Sequence, residues 1–265
     1  MKTEVRLKVK SKFVTKYKNG YPLISKDTIM NPNVLDEEGI TIKLVDEQNN
    51  FIAKGYYGKQ NKGLGWVLSN NEKEQFDQRF FEKTLKAAID RREHFFEGSE
   101  TTAFRVFNGE GDGMGGLTID YFDGYYVLTW YSKGIYQFRE FIIDSLKNLV
   151  EYKAIYQKKR FDESGKYIEE DDFVTGERGE FPIVVKENGV NIAIHLNDSA
   201  MVGVFLDQKD VRKKLRDVYS KGKRVLNTFS YTGVFSVFAA LGGATKTTSV
   251  DLANRSKSKT IEQFN

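Results

Sequence analysis

Cysteine is absent from this sequence, and histidine and proline are rare. Its 265 residues contain no Cys, two His and three Pro. Without cysteine the chain has no disulfide bond, no thiolate metal site and no cysteine nucleophile of its own. Two histidines are too few for a histidine-rich metal cluster, so no metal site is expected. A chain without disulfides is typical of a reducing compartment, which predicts the cytoplasm.

Long apolar runs are also missing. No window approaches the roughly 18 consecutive apolar residues of a membrane-spanning helix, so no membrane segment is expected. The N-terminal segment MKTEVRLKVK is charged and alternating, unlike a secretory signal. Hydrophobic residues nevertheless make up 40% and aromatic residues 14% of the chain, enough for packed cores. At this length two or three domains are expected.

Positive charge is concentrated at one end of the chain. The net charge is only +4, but residues 1–26 contain eight Lys or Arg and one acid. The segment EVRLKVKSKF alternates apolar and basic residues, which predicts a half-buried strand with a basic outer face. Such a face could bind RNA phosphates, or it could be an ordinary solvated surface. The candidate phosphate-binding residues are Arg6, Lys8, Lys10 and Lys12.

The pattern of apolar and polar residues changes twice along the chain. Residues 1–70 alternate and contain a hairpin signal, which predicts a small β-barrel or sheet. Residues 71–188 combine a helical pattern at 74–96 with strands separated by glycine-rich turns, which predicts an α+β domain. From residue 189 onward a strand, a helix and a second strand follow, which predicts an α/β unit.

Three further features of the sequence allow more than one interpretation. The stretch GEGDGMGG lacks the Lys-Ser/Thr of a phosphate-binding P-loop and precedes a strand, so we interpret it as a hairpin or bulge. Trp66, Tyr56 and Tyr57 could stack on RNA bases, and packing in the barrel core is at least as good an explanation for each. His195 lies in the alternating stretch IAIHL, where a strand-face role is favoured over catalysis.

The α/β unit contains a candidate ligand site. The turn FSYTG joins a strand to a helix N-terminus, where backbone N–H groups and the helix dipole favour a polar or anionic ligand. Asp251 ends the next strand, 18 residues after Gly233, close to the spacing of an acid that binds both ribose hydroxyls of an adenosine. The turn is not G-x-G-x-x-G, which favours an adenosyl ligand ending in an amino acid over a dinucleotide. The alternative is an ordinary βαβ unit in which Asp251 caps a helix.

Three separated motifs now support a resemblance. The stretches VGVFLDQKDVR, RVLNTFSYTGVFSVFAALGGA and SVDL resemble the PUA-containing class I S-adenosylmethionine-dependent methyltransferases that form 5-methylcytosine in 23S ribosomal RNA. The stretch RVFNGEGDGMGGLTIDYFDGYYVL is similar to the middle domain of that family. The resemblance covers essentially the whole chain, in order.

The resemblance implies a multidomain α+β and α/β fold. It predicts an N-terminal PUA-like RNA-binding barrel (1–70), a central α+β domain (71–188) and the start of a C-terminal Rossmann-like methyltransferase domain (189–265). It also implies 23S ribosomal RNA as the partner, while a homodimer is left open.

The resemblance further implies which residues bind S-adenosylmethionine. The turn would line the methionine part of the cofactor, Asp251 would bind the ribose, and the segment 205–212 would lie beside the cofactor and substrate pocket. Two positions depart from the family, Val234 in place of a glycine and Lys209 in place of an arginine. The implied cofactor residues are Phe205, Asp207, Gln208, Arg212, Phe229, Ser230, Tyr231, Thr232, Gly233 and Asp251.

Catalytic groups of that family are missing from these 265 residues. Methylation at carbon 5 of cytosine requires a thiolate that first adds to carbon 6. The implied cysteine and an Asp-Pro-Pro strand end are both absent. We therefore expect the chain to be the N-terminal part of a longer protein, inactive by itself, with its fold truncated. The alternatives are a non-catalytic RNA-binding module and, more distantly, a nicotinamide-dependent dehydrogenase.

Overall fold

The structure, a computed structural model, describes residues 4–59, 63–161, 168, 171–197 and 202–265. The chain divides into two compact units. The first comprises Met1–Glu93, Val106–Asp120 and Tyr126–Gly176, and the second comprises His94–Arg105, Tyr121–Tyr125 and Glu177–Asn265. The predicted domain boundaries at residues 70 and 188 stay predictions.

The described residues form both strands and helices. The strands are β1 (Val5–Lys8), β2 (Leu23–Ile24), β3 (Thr41–Val45), β4 (Phe51–Tyr57), β5 (Gly65–Ser69), β6 (Ala103–Asn108), β7 (Leu117–Phe122), β8 (Tyr125–Trp130), β9 (Ala154–Lys159), β10 (Phe173–Gly176), β11 (Ile183–Glu187), β12 (Val190–Ile194), β13 (Arg224–Thr228) and β14 (Lys246–Val250). The helices are α1 (Val14–Lys18), α2 (Gln78–Asp90), α3 (Glu93–Phe96), α4 (Lys133–Tyr136), α5 (Arg139–Leu149), α6 (Lys209–Lys214), α7 (Val234–Leu241) and α8 (Ser256–Phe264). Within these described parts of the chain, every helix is too short or too polar to cross a membrane.

The first sheet has the order β1-β3-β4-β5-β2. Strand β1 runs parallel to β3, with Leu7 opposite Leu44, and the other pairs are antiparallel. The predicted alternation of β1 is confirmed, because Leu7 and Val9 are fully buried in the core of this sheet. The strand is shorter than predicted, since a 3₁₀ turn at Ser11–Phe13 leads directly into α1.

A second five-stranded sheet has the order β10-β9-β8-β7-β6. In the first unit α2 packs against α5. Helix α2 begins at Gln78, later than the predicted start at residue 74, because Asp77 caps it by accepting a hydrogen bond from the N–H of Phe80 at 3.1 Å. Phe81 is fully buried, and its ring lies 5.4 Å from that of Phe138.

The glycine-rich stretch is a packing site for aromatic rings. Trp66 and Tyr56 are 2% and 0% exposed, and their ring centroids lie 5.4 Å apart. The indole N–H of Trp66 donates to Glu110 Oε1 at 2.6 Å. A Cβ atom on Gly115 would lie 2.1 Å from the indole ring, so glycine is needed for this close approach. Of the two interpretations of Trp66 and Tyr56, core packing is therefore the one that the structure shows.

We predict that Gly115→Ala lowers the free energy of unfolding by about 1–3 kcal/mol, the usual cost of overpacking a core. The substituted methyl group would displace the Trp66 ring or the backbone. Gly111→Ala is the matched control, because its Cβ would lie 3.4 Å from the nearest atom, in ordinary contact. Urea titration of both variants measures the difference, and equal stability of the two would contradict this account.

The second unit contains two strand pairs. Strands β11 and β12 form the antiparallel hairpin predicted at Asn188-Gly189, both of which have positive φ. Strands β13 and β14 are parallel, with Arg224 opposite Lys246, and α7 connects them and packs against both. The side chain of Gln263 on α8 both donates to and accepts from the backbone of Ala193, at 2.8 and 3.0 Å, which ties α8 to β12.

Candidate functional site

The turn between β13 and α7 has a strained backbone. Phe229 and Tyr231 have φ values of 56° and 53°, in the left-handed region, and Gly233 follows at 81°. Left-handed residues other than glycine persist only where their surroundings hold them, which is common at ligand sites. Here the N–H of Ser230 donates to the carbonyl of Val250 at 3.0 Å, which joins the turn to the end of β14.

Gly233 lets α8 approach this turn closely. A Cβ atom at Gly233 would lie 2.6 Å from Cγ2 of Thr260 on α8. Glycine also adopts the positive φ at this position without steric cost. Both constraints explain why glycine is placed here, independently of any ligand.

Asp251 ties the turn to the strand end from the other side. Its Oδ2 accepts a hydrogen bond from the N–H of Tyr231 at 2.8 Å, and its Oδ1 accepts one from the N–H of Ala253 at 2.9 Å. The hydrogen bonds from Ala253 and Tyr231, with a further one from the Ser256 side chain, hold the pKa of Asp251 below its usual value. The carboxylate is therefore ionised at neutral pH. Backbone N–H groups from both the turn and the strand end thus converge on this carboxylate.

A pocket with about 430 Å³ of open space lies beside the turn. Seven of the ten residues predicted to bind the cofactor line it: Phe205, Gln208, Arg212, Phe229, Ser230, Tyr231 and Thr232. The other three are placed differently. Asp207 is exposed in the short helical turn Leu206–Gln208. Gly233 ends the turn and Asp251 adjoins it, and neither residue lines the pocket.

Aromatic rings form much of the pocket wall. The rings of Phe205 and Tyr231 lie 5.5 Å apart. Phe229 is 92% exposed although it is a large apolar residue, and its left-handed backbone holds it in that position. An apolar, aromatic lining with a few polar groups is typical of small-molecule sites.

Arg212 is buried in the wall of the pocket and paired with Glu187. Its Nε and Nη2 donate to the two carboxylate oxygens of Glu187 at 2.6 and 2.7 Å. Nη2 also donates to the carbonyl of Phe205 at 2.7 Å, and the guanidinium lies 5.3 Å from the centroid of the Phe235 ring. The arginine therefore connects β11 to two aromatic residues of the pocket.

Sequence reasoning missed Glu187. A usable signal was present, because the alternation of β11 places Val185 and Glu187 on the same inward face, with Lys186 between them pointing out. A charged residue at an inward position of a strand implies a buried partner. The partner itself was not predictable, since Arg212 lies 25 residues further along the chain.

The basic residues predicted to bind RNA do not share one strand. Arg6 and Lys8 lie on β1, whereas Lys10 follows it and Lys12 lies in the 3₁₀ turn Ser11–Phe13. The ammonium group of Lys10 donates to the carbonyl of Asp27 at 2.7 Å. RNA binding by these four residues stays a prediction.

Further basic and aromatic groups follow on α1 in the same unit. Lys16 and Lys18 lie on this helix, and the ammonium group of Lys16 lies 3.7 Å from the centroid of the Tyr21 ring. Sequence reasoning did not single out these residues, because the basic strand that it predicted ends at Phe13, before α1. Tyr21 follows the helix and is 40% exposed, so this segment adds an accessible ring beside the basic residues.

Comparisons with known proteins agree with both parts of this description. A model of the PUA-like domain matches residues 7–70, and a model of the S-adenosylmethionine-dependent methyltransferases matches residues 105–263. The first match confirms the predicted PUA-like domain. The second reaches almost to the last residue, and it gives no support to the expectations of a truncated fold and an inactive chain.

Two curated relatives carry names from ribosomal RNA modification. YwbD of Bacillus subtilis, named as a candidate ribosomal RNA large subunit methyltransferase, is 58% identical over 260 residues, which are 97% of this chain and 66% of that protein. Ribosomal RNA large subunit methyltransferase I of Pseudoalteromonas translucida is 34% identical over 217 residues, 81% of this chain and 54% of that protein. The chain thus spans about two thirds and about half of the lengths of these relatives.

A solved structure has the same fold. The crystal structure of SMU.776, a candidate methyltransferase complexed with S-adenosylhomocysteine, superposes with a TM-score of 0.89 at 36% identity, covering 98% of this chain and 66% of that one. The methyltransferase model alone matches more than half of the chain. This protein therefore belongs to the family of S-adenosylmethionine-dependent methyltransferases, and its cofactor is S-adenosylmethionine.

Proposed function

We propose that the protein methylates large-subunit ribosomal RNA, and that the product is 5-methylcytosine in 23S ribosomal RNA. One observation carries the proposal: the turn 229–233 lies beside an aromatic pocket and is held by the ionised Asp251, which accepts a hydrogen bond from the N–H of Tyr231. The names of the two curated relatives and the PUA-like match support RNA as the substrate. Cytoplasmic localisation is part of the same proposal, and a homodimer stays a prediction.

Each part of the proposed cofactor site has a distinct task. Asp251 accepts hydrogen bonds from the ribose hydroxyls, since its carboxylate is ionised and directly follows β14 beside the turn. The turn 229–233 and the pocket wall at Phe205 and Gln208 enclose the methionine part. When bound, the cofactor supplies an electrophilic methyl group. Closing an aromatic wall around that group excludes water, which would otherwise compete for it.

The proposed product sets a further chemical requirement. Carbon 5 of cytosine becomes nucleophilic after a thiolate adds to carbon 6. The 265 residues contain no cysteine, so the thiolate in this proposal belongs to residues other than these. RNA is held in part by the PUA-like domain, with Arg6, Lys8, Lys10 and Lys12 as candidate phosphate contacts and Lys16 and Lys18 on α1 beside them in sequence.

Calorimetric titration with S-adenosylhomocysteine, with NAD in parallel, tests the cofactor site. We expect S-adenosylhomocysteine to bind and NAD to give no heat, because the turn lacks the two close backbone approaches that a pyrophosphate needs. Binding of NAD alone would favour a dehydrogenase. Binding of neither would favour the second candidate, a non-catalytic RNA-binding module in which the α/β unit is a scaffold.

Methyl transfer tests the substrate. The protein is incubated with S-adenosylmethionine carrying a radioactive methyl group and with 23S ribosomal RNA, and the RNA is digested to nucleosides. Label in 5-methylcytidine supports the full proposal. Label in another nucleoside would retain the RNA methyltransferase and overturn the proposed product.

A further inference from the structure

We propose that Glu187 sets the charge preference of the cofactor pocket. Its carboxylate neutralises Arg212, so that the pocket accepts the positively charged sulfonium of S-adenosylmethionine. This inference rests on the proposed placement of the cofactor beside the turn 229–233. It assigns a task to Glu187, which does not line this pocket and was not predicted as a site residue from the sequence.

Burial makes the charge of Arg212 effective at the pocket. The side chains of Arg212 and Glu187 are 2% and 1% exposed, so little water screens either of them. Charges in such surroundings interact several times more strongly than charges in bulk water. Arg212 also lines the pocket, so an unpaired guanidinium there would repel any positively charged ligand.

Glu187 is the compensating group that the structure supplies. Among the described residues that line this pocket, Arg212 is the charged one, and none carries a carboxylate. Asp207 is exposed and lies outside the lining, and the carboxylate of Asp210 pairs with Lys209 at 2.8 Å. Asp251 bonds the N–H of Tyr231 at the turn and also lies outside the lining. The charge of Arg212 at the pocket wall is therefore compensated directly by its bonded partner, Glu187.

The same pair positions the aromatic wall. Arg212 donates to the carbonyl of Phe205 and lies over the ring of Phe235. Aromatic faces attract cations, and this attraction strengthens when water is excluded. Glu187 thus has two consequences for a sulfonium ligand: it removes a repulsive charge and it holds the arginine that orders the rings.

Comparing the binding of S-adenosylmethionine and S-adenosylhomocysteine distinguishes an electrostatic role of Glu187 from a purely structural one. The two ligands have the same adenosine and amino acid groups, and they differ by one methyl group and one positive charge. A variant that only distorts the pocket weakens both ligands alike. A variant that changes the charge of the wall changes the ratio of their dissociation constants.

The experiment measures both dissociation constants by calorimetry for the wild type and three variants. In Glu187→Gln the unpaired Arg212 raises the ratio of the S-adenosylmethionine constant to the S-adenosylhomocysteine constant by about tenfold, as expected for one weakly screened charge at the pocket wall. Glu187→Asp keeps the charge and restores the wild-type ratio. Glu187→Met combined with Arg212→Met removes both charges and also keeps the wild-type ratio, since apolar replacement of a buried pair is often tolerated.

A matched control removes a carboxylate from the same unit. Asp217 pairs at the surface with Lys213 and Arg216 and lies outside the pocket lining. Asp217→Asn is expected to leave the ratio unchanged. If Glu187→Gln does not fold, Arg212→Met replaces it, and the unpaired carboxylate is then expected to shift the ratio in the opposite direction, towards tighter binding of S-adenosylmethionine.

The outcomes separate this inference from the proposed function. Equal weakening of both ligands in Glu187→Gln, with an unchanged ratio, would overturn the electrostatic role while leaving the cofactor site in place. Failure of the wild type to bind either ligand would instead overturn the proposed site. A raised ratio in Glu187→Gln that returns to the wild-type value in the double variant supports the inference.

Discussion

Replacing Asp251 by Ala is expected to lower the affinity for S-adenosylhomocysteine roughly ten- to a hundredfold, the usual effect of losing a charged hydrogen-bond acceptor. The ionised carboxylate at the end of β14 is the proposed partner of the ribose hydroxyls. It also bonds the N–H groups of Tyr231 and Ala253. The substitution therefore removes a ligand contact and loosens the turn that encloses the ligand.

Calorimetry on three proteins checks this expectation. Asp251→Asn retains a side-chain oxygen for one backbone N–H but lacks the charge, so its affinity is expected between those of the wild type and Asp251→Ala. Asp210→Ala is the control, because this exposed carboxylate pairs with Lys209 away from the turn. Unchanged affinity in Asp251→Ala would remove Asp251 from the site and leave it as a tie between strand and turn.

Arg212→Ala is expected to lower the free energy of unfolding by about 3–5 kcal/mol, because breaking a buried ion pair leaves an uncompensated charge inside the protein. Glu187 is fully buried and would lose both of its charge-assisted hydrogen bonds to Arg212. The carbonyl of Phe205 would lose a donor at the same time. Thermal or urea unfolding, followed by circular dichroism, measures the change.

Lys214→Ala is the matched control on the same helix, since Lys214 is exposed. Its effect is expected within about 0.5 kcal/mol, as for most surface substitutions. A small loss of stability in Arg212→Ala combined with a complete loss of S-adenosylhomocysteine binding would show that the arginine serves the ligand first. We expect instead that Arg212→Ala lowers stability, and that the affinity for S-adenosylhomocysteine falls as a consequence.

Local features of this fold were predictable because each depends on neighbouring residues. The alternation around Leu7 and Val9 predicted an inward face, and both side chains are fully buried. Asn188-Gly189 predicted a hairpin, because both residues tolerate the positive φ that its turn requires. The stretch 225–252 predicted a strand, turn, helix and strand, and the structure has all four.

Element boundaries were harder, because caps and tertiary contacts decide them. The helix predicted from residue 74 begins at Gln78, where the side chain of Asp77 supplies the cap. The basic strand predicted through Phe13 ends at Lys8, since the chain turns into α1. Basic residues expected along one strand face are therefore divided between a strand and helical turns.

Resemblance to a known family predicted the PUA-like domain and the adenosyl cofactor. The residues themselves determined a basic strand near the N-terminus, a strand–turn–helix stretch and an acid at the next strand end. These follow from residue type and short spacing, which act through local backbone preferences. Only the tertiary structure decided that Arg212 pairs with Glu187 and that Gly115 faces Trp66. Such contacts join residues that are distant along the chain, and their energies depend on burial and close packing, which exist only after the chain has folded.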